Sequence, residues 1–344
     1  MRKNREKSKV FVALSGGVDS SVAALLLKDQ GHDVVGVFMR CFNLDGCAKR
    51  DAEDARRVAG QLGIPFFVWD FEKEYKERVV KYMIDGYRQG ITPNPDVMCN
   101  KEIKFGLFFE KARSMSADRI ATGHYVRLAR GKLYCAKDRN KDQSYFLWTL
   151  TQERLAHCLF PIGDYLKPEV REMAHRAGLP TAEKKDSQGI CFLGKISLAD
   201  FLRDYIPAKR GPVFTTAGKK MGEHNGSYFY TIGQRHGLGI AGPVPYYVAA
   251  KNVADNSLTV AEGNKNPALY RKEVDLSFIN WISRGVPKRP LSVFARVRYR
   301  QPLSKATIGN GRLVFASPQK FVAAGQSAVF YSKNGEMLGG GVIL

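Results

Sequence analysis

What the 344-residue sequence lacks narrows its reading first. Its six cysteines (Cys41, Cys47, Cys99, Cys135, Cys158 and Cys191) contain no C-x-x-C pair. Zinc-ribbon and iron–sulfur spacings are therefore missing, and no resident metal is expected. No apolar run is long enough to span a bilayer, so no membrane partner is expected. Residues 1–9 are basic and polar with no apolar segment behind them. That pattern reads as a solvated tail rather than a secretory leader, which predicts a cytoplasmic protein and argues against a disulfide scaffold. No Gly-Lys-Ser/Thr string is present, so there is no Walker A loop. Acids are scarce: 33 Asp and Glu stand against 54 Lys and Arg, a net charge of +21. Such an excess points to a polyanionic partner, nucleic acid first. It is uneven, since residues 276–344 hold ten Lys or Arg against one acid, Glu336, a net +9.

What is present reads as two textures. Strands at residues 9–14, 34–39, 66–69 and 119–122 alternate with helices at 20–30, 51–62 and 101–115, and a further helix starts at Lys167. Alternation of this kind predicts a doubly wound parallel α/β sheet. After residue 207 the pattern changes to short alternating strands with many glycines, such as 246–249, 257–261, 292–298 and 327–331. The expected domains are 1–207, an α/β domain; 208–274, a small central β-rich domain; and 275–344, a C-terminal β-barrel.

The chemistry starts at Ser15-Gly16-Gly17-Val18-Asp19-Ser20, between the first strand and the first helix. Glycines let the backbone approach phosphate oxygens, successive amides form an anion nest, and the helix N-terminus points its N–H groups at the same place. Ser15, Ser20 and Ser21 add hydroxyls. Asp19 beside a polyphosphate either holds Mg²⁺ or orients the loop. Met39 ends the second strand at the nucleotide edge, where it packs on adenine or fills core. Ala121-Thr122-Gly123-His124-Tyr125 ends another strand there, with Gly123 allowing close approach. Two loops carry cysteines. Thr92-Pro93-Asn94-Pro95-Asp96-Val97-Met98-Cys99-Asn100 is stiffened by two prolines, and Cys99 is expected just before a helix, where the dipole favours thiolate. Asp186-Ser187-Gln188-Gly189-Ile190-Cys191-Phe192 is the second.

The strings SGGVDS, NPDVMCN, ATGHY, KDQSYFL, DSQGICF and GSYFYTIGQRHGLGI occur in this order from Ser15 to Ile240, followed by Arg298-Tyr299-Arg300-Gln301 and Gly325-Gln326. The first is similar to the phosphate loop of the PP-loop ATP pyrophosphatase superfamily. The set resembles the tRNA-specific 2-thiouridylase (tRNA-uridine 2-sulfurtransferase) family. That resemblance implies ATP-dependent exchange of sulfur for the C2 oxygen of the wobble uridine in the tRNA anticodon loop, with Lys, Glu and Gln acceptors. It implies adenylation of uracil O2 by ATP with Mg²⁺, and sulfur supplied as a persulfide by a sulfur-relay protein or cysteine desulfurase. Cys191 would carry the persulfide. Cys99 would attack it, freeing sulfide or leaving a Cys99–Cys191 disulfide. Asp96 would be the general acid/base; its other role is a turn cap. The ATP site implied is Ala13, Leu14, Ser15, Gly16, Gly17, Val18, Asp19, Ser20, Met39 and Gly123. The implied tRNA contacts are Asn94, Pro95 and Asp96 at the target base, with His124, Lys141, Asp142, Gln143, Arg298, Tyr299 and Gln326.

One stretch departs from the family: Arg40-Cys41-Phe42-Asn43 stands where a Lys-Asn-Trp-like string is common, and Cys41 and Cys47 receive no role. Two alternatives stay open on sequence alone: another PP-loop adenylating enzyme with a different substrate, or a non-catalytic RNA-binding protein with a relic nucleotide site.

Overall fold

The computed structural model describes residues 7–42, 44, 46–185, 196–282, 286 and 290–344. The N-terminal part begins with β1 (Lys9–Ala13), α1 (Val18–Asp29), β2 (Asp33–Arg40), α2 (Cys47–Leu62) and β3 (Phe66–Asp70). A long helix α3 follows in three consecutive segments, Glu72–Tyr75, a π-helical Lys76–Val80, and Lys81–Arg88. The next helix, α4, is built the same way from Pro95–Met98, a π-helical Cys99–Leu107, and Phe108–Ser114. Then come β4 (Arg119–Ala121), a hairpin of β5 (Val126–Ala129) and β6 (Lys132–Cys135), β7 (Cys158–Leu159), α5 (Lys167–Arg176) and α6 (Leu198–Arg203).

The sheet order is β3-β2-β1-β4-β7 and every pairing is parallel. The chain moves outward from β1 through β2 to β3, then returns to the other side of β1 for β4. The strand order therefore reverses between β1 and β4, and the crevice beyond their carboxyl ends is where such sheets bind ligands. Alternation along β1 divides the core in two. Val10, Val12 and Leu14 pack with residues of α1, α2 and α5, whereas Phe11 and Ala13 pack with residues of α3 and α4.

The second unit is a four-stranded sheet of β8 (Gly211–Thr215), β9 (Lys220–His224), β10 (Tyr246–Asn252) and β11 (Ser257–Glu262), ordered β10-β11-β8-β9. The third holds β12 (Tyr270–Trp281), β13 (Leu291–Arg296), β14 (Ser304–Gly309), β15 (Arg312–Lys320), β16 (Ser327–Tyr331) and β17 (Met337–Ile343). These close into a barrel, β12-β15-β14-β13-β16-β17. Closure leaves no free strand edge, which suits a short glycine-rich terminal unit. The first barrel strand starts at Tyr270, so it reaches across the expected boundary at residue 274.

The barrel is docked on the α/β unit by buried polar groups. Arg296 pairs with Asp142, which also accepts the Ser144 hydroxyl at 3.0 Å. The Tyr145 phenol donates to the Ser327 carbonyl at 2.8 Å, and the Trp148 indole to the Ser327 hydroxyl at 2.9 Å. Trp148 lies so close to β17 that a Cβ on Gly340 would stand 2.6 Å from its Cγ.

Candidate nucleotide and thiol site

Helix α1 begins at Val18, two residues earlier than expected, and its N-cap is Gly17. A glycine cap offers no side-chain acceptor, so the first-turn N–H groups receive no cap from Gly17. The partial positive charge of a twelve-residue helix collects there. Hydroxyls shape the loop: the Ser15 N–H donates to Ser20 Oγ at 3.1 Å, and Ser20 and Ser21 donate to the Gly17 carbonyl at 3.0 and 2.9 Å. This arrangement fits a phosphate group.

The two loop glycines differ. Gly16 has φ +73°, and a Cβ there would lie 2.3 Å from the Asp51 carbonyl oxygen. Its requirement is packing against α2. Gly17 meets no such obstacle, since a Cβ would find Ser15 Oγ at 3.5 Å. Gly123 also serves packing, because a Cβ would stand 2.6 Å from the Ser20 nitrogen. It lets the end of β4 touch the first turn of α1. Ala13 and Leu14 are buried behind the loop, and Met39 is partly buried where β2 pairs with β3 at Trp69.

Asp19 accepts the Tyr125 phenol at 2.9 Å and the Lys167 ammonium at 2.6 Å. Lys167 is itself buried, and its backbone N–H is held by Asp138 at 3.0 Å. Sequence reasoning missed this cation. Its only signal was its place directly before Pro168, which stands at the start of α5. Of the two roles read for Asp19, orienting the loop is the one its contacts display. Among the described residues no cluster of three His, Cys, Asp or Glu could hold a metal. Lys184 reaches Asp51 at 2.7 Å and Asp54 at 2.6 Å. Burial works against its charge, yet the two carboxylates raise its pKa above the usual lysine value.

Cys99 corrects an expectation. It does not precede a helix but lies one turn inside α4, where the π-helical segment starts. The reason is local: Asn94 caps the helix by accepting the Val97 N–H at 3.2 Å, and Pro95 takes the first helical position. Cys99 is 8% exposed. Asp96, in the first turn, is partly buried; burial raises its carboxyl above the usual range, with Lys104 pulling it back. Lys104 also acts on His124, which burial, chiefly, and this nearby charge hold well below the usual histidine value. His124 is 6% exposed, bonded through Nδ1 to Thr122 Oγ1 at 2.7 Å, with its ring 5.9 Å from that of Phe105. Gly123, His124 and Phe105 thus link the phosphate loop to the helix carrying Asp96 and Cys99. Cys191, with the DSQGICF loop, lies outside the described residues. Burial raises the Cys135 thiol, and pushes that of Cys158 up to about 12, which suits inert core cysteines.

The remaining expected positions fall in two places. Asp142 is 3% exposed, and its oxygens are spent on the Ala136 N–H, Ser144 and Arg296. Gln143 exchanges hydrogen bonds with the Tyr125 backbone at 2.9 Å. Lys141 is partly buried, as is Gln143. Near the barrel, Arg298 lies 5.8 Å from the Phe321 ring, and burial lowers its pKa against the pull of Tyr145. Tyr299 packs on Phe146 at 4.4 Å, and Gln326 reaches the Thr92 and Pro93 carbonyls.

Fold and site together define a nucleotide-binding α/β protein of the PP-loop class, with a thiol-bearing helix and two β units. The chain matches the family models of the tRNA methyl transferase HUP domain over residues 8–195, the tRNA methyl transferase PRC-barrel domain over 199–262, and the aminomethyltransferase beta-barrel domain over 271–343. It is 46% identical over 360 residues to the tRNA-specific 2-thiouridylase MnmA of Streptococcus thermophilus, covering 99% of this chain and 96% of that one. It is 47% identical to the tRNA-specific 2-thiouridylase MnmA 2 of Geobacillus kaustophilus, covering 100% and 96%. Among solved structures, a 4-thiouridine synthetase–RNA complex with bound ATP superimposes with a TM-score of 0.36 at 18% identity, covering 58% of this chain and 50% of that one. The chain belongs to the tRNA-specific 2-thiouridylase family.

Proposed function

We propose that the protein is an ATP-dependent tRNA-uridine 2-sulfurtransferase acting on the wobble uridine of tRNAs for Lys, Glu and Gln. The observation that carries the reading is the uncapped N-terminus of α1, joined through Gly123, His124 and Phe105 to the helix that bears Asp96 and Cys99. A phosphate site coupled to a buried thiol suits a reaction that needs both an adenylyl donor and sulfur. The full-length relatives are named for this thiolation, although the family models carry the words methyl transferase.

ATP bound at the loop supplies the adenylyl group that makes uracil O2 a leaving group. The first-turn amides of α1 and the loop hydroxyls hold its phosphates, and Lys167 sits beside them through Asp19. Mg²⁺ would enter with the phosphates, which supply oxygen ligands to it in sites of this kind. Asp96, with its raised carboxyl, passes a proton to or from the base. Sulfur arrives as Cys191–S–SH from a relay protein. The Cys99 thiolate attacks the Cys191 sulfur, giving a Cys99–Cys191 disulfide and HS⁻; HS⁻ attacks uracil C2 and expels O2 as AMP, pyrophosphate having left on adenylation. External thiol then reduces the disulfide. Lys141, Arg298 and Tyr299 are the proposed outer contacts to tRNA.

Unmodified tRNA transcript, ATP, Mg²⁺ and relay-supplied sulfur provide the test, read by retardation in a mercury-containing gel. Wild type should give ATP-dependent retardation, and Cys99→Ser and Cys191→Ser should not. No retardation with wild type overturns the proposal.

A further inference from the structure

We infer that Gln326, a position the family resemblance gives to RNA, is a positioning residue: through it the barrel holds Thr92–Pro93 and so sets where Asp96 and Cys99 stand. What the loop does is taken from the thiolation reading above; how it is held is not.

The grip has three parts on the barrel side. The Thr92 N–H donates to the Ala324 carbonyl at 2.7 Å. The Gln326 side-chain amide donates to the Thr92 carbonyl at 2.9 Å and to the Pro93 carbonyl at 3.3 Å. Gly325, at φ +87°, allows backbone contact, since a Cβ there would lie 3.0 Å from the Thr92 backbone. On the opposite side Pro93 presses on α3, where a Cβ on Gly86 would stand 2.8 Å from Pro93 Cγ.

Gln326 is itself fixed. Its N–H donates to the Ala323 carbonyl at 3.2 Å, and its carbonyl accepts the Ile343 N–H at 2.8 Å. The next residue, Ser327, takes the Tyr145 and Trp148 bonds that dock the barrel. Both contacts run from the one amide nitrogen, Nε2, so the donor end of the side chain is turned into the Thr92–Pro93 backbone. Helix α4 is capped one residue after Pro93, so no slack separates the gripped dipeptide from Asp96 and Cys99. A displacement near 1 Å at reacting groups lowers a rate by about 100-fold.

Gln326→Glu keeps the shape and replaces both donors with an oxygen facing two carbonyls; Gln326→Lys restores a donor. For Gln326→Glu, kcat for thiolation should fall about tenfold to a hundredfold, with KM for tRNA changed less than about twofold. Amide hydrogen exchange over residues 94–99, measured without tRNA, should speed up, and Gln326→Lys should recover much of both losses. If Gln326→Glu does not fold, Gln326→Met takes its place in the same measurements. A raised KM with unchanged kcat and unchanged exchange would make Gln326 an RNA contact and overturn the inference. Should wild type fail to thiolate, the sulfurtransferase reading falls, and exchange alone decides the clamp: unchanged exchange at 94–99 overturns it.

Discussion

Asp96 carries its carboxyl above the ordinary aspartate range because burial disfavours the anion, with Lys104 opposing. The sign of the stability effect follows. Well below about pH 4 the group is neutral in folded and unfolded chains alike. As pH rises the unfolded chain ionises first, so the folded state loses stability through this residue. Asp96→Asn should therefore melt higher than wild type at pH 7, the gap closing below about pH 4, as paired thermal scans would register. The same variant should lose about 100-fold or more in thiolation rate, the usual scale for removing a general acid or base. Lys167→Met should weaken ATP use, seen as a raised KM for ATP, because it strips Asp19 of its cation at the mouth of α1. At this scale the sequence was legible where the signal is local, as at the Ser15–Ser20 turn between β1 and α1. It was not legible for Lys167, whose partner Asp19 is 148 residues away and joined only by the fold. Nor could a string tell that Asp142, in a charged segment, is buried against Arg296.

Elements were read best where a local signal was strong. Gly31 and Gly63 mark the ends of α1 and α2, and the alternating strands gave the parallel sheet. The start of α4 was misplaced because its two prolines were read as loop stiffening, while Asn94-Pro95 is a cap followed by a first helical residue. The β5–β6 hairpin was missed. Its signal was present in Val126-Arg-Leu-Ala-Arg-Gly-Lys-Leu-Tyr-Cys135, whose turn residues Arg130 and Gly131 both take positive φ, at 52° and 72°. The π-helical register that begins at Cys99 has no sequence signature, although such segments recur at functional sites. Contact between elements gives a further expectation. Gly123→Ala would force β4 away from α1, so stability should fall by about 1–3 kcal/mol and ATP affinity with it. Denaturant unfolding and nucleotide titration read the two effects separately.

Across the whole molecule, the Asp142–Arg296 pair joins barrel to α/β unit with both side chains buried. Arg296→Met alone should destabilise by about 3–5 kcal/mol, because it strands a buried carboxylate; Asp142→Leu added to it should recover much of that loss. Urea midpoints of the two variants check this. The net +21 charge implies tRNA binding that weakens steeply with salt. With six to ten phosphate contacts, affinity should drop about 10³- to 10⁵-fold between about 50 and 200 mM salt, measured by filter binding.

The grip of the barrel on Thr92 also has a temporal side. A ribosome lays down Thr92 234 residues before Gln326, and β17, which closes the barrel and fixes Gln326 through Ile343, comes later still. At about 5–20 residues per second, that gap alone is roughly 10–50 s. Throughout it the nascent phosphate-binding half is exposed to ATP while the segment bearing Cys99 has not been locked. On the clamp and the thiolation proposed above, sulfur chemistry would therefore wait on the last strand to be made.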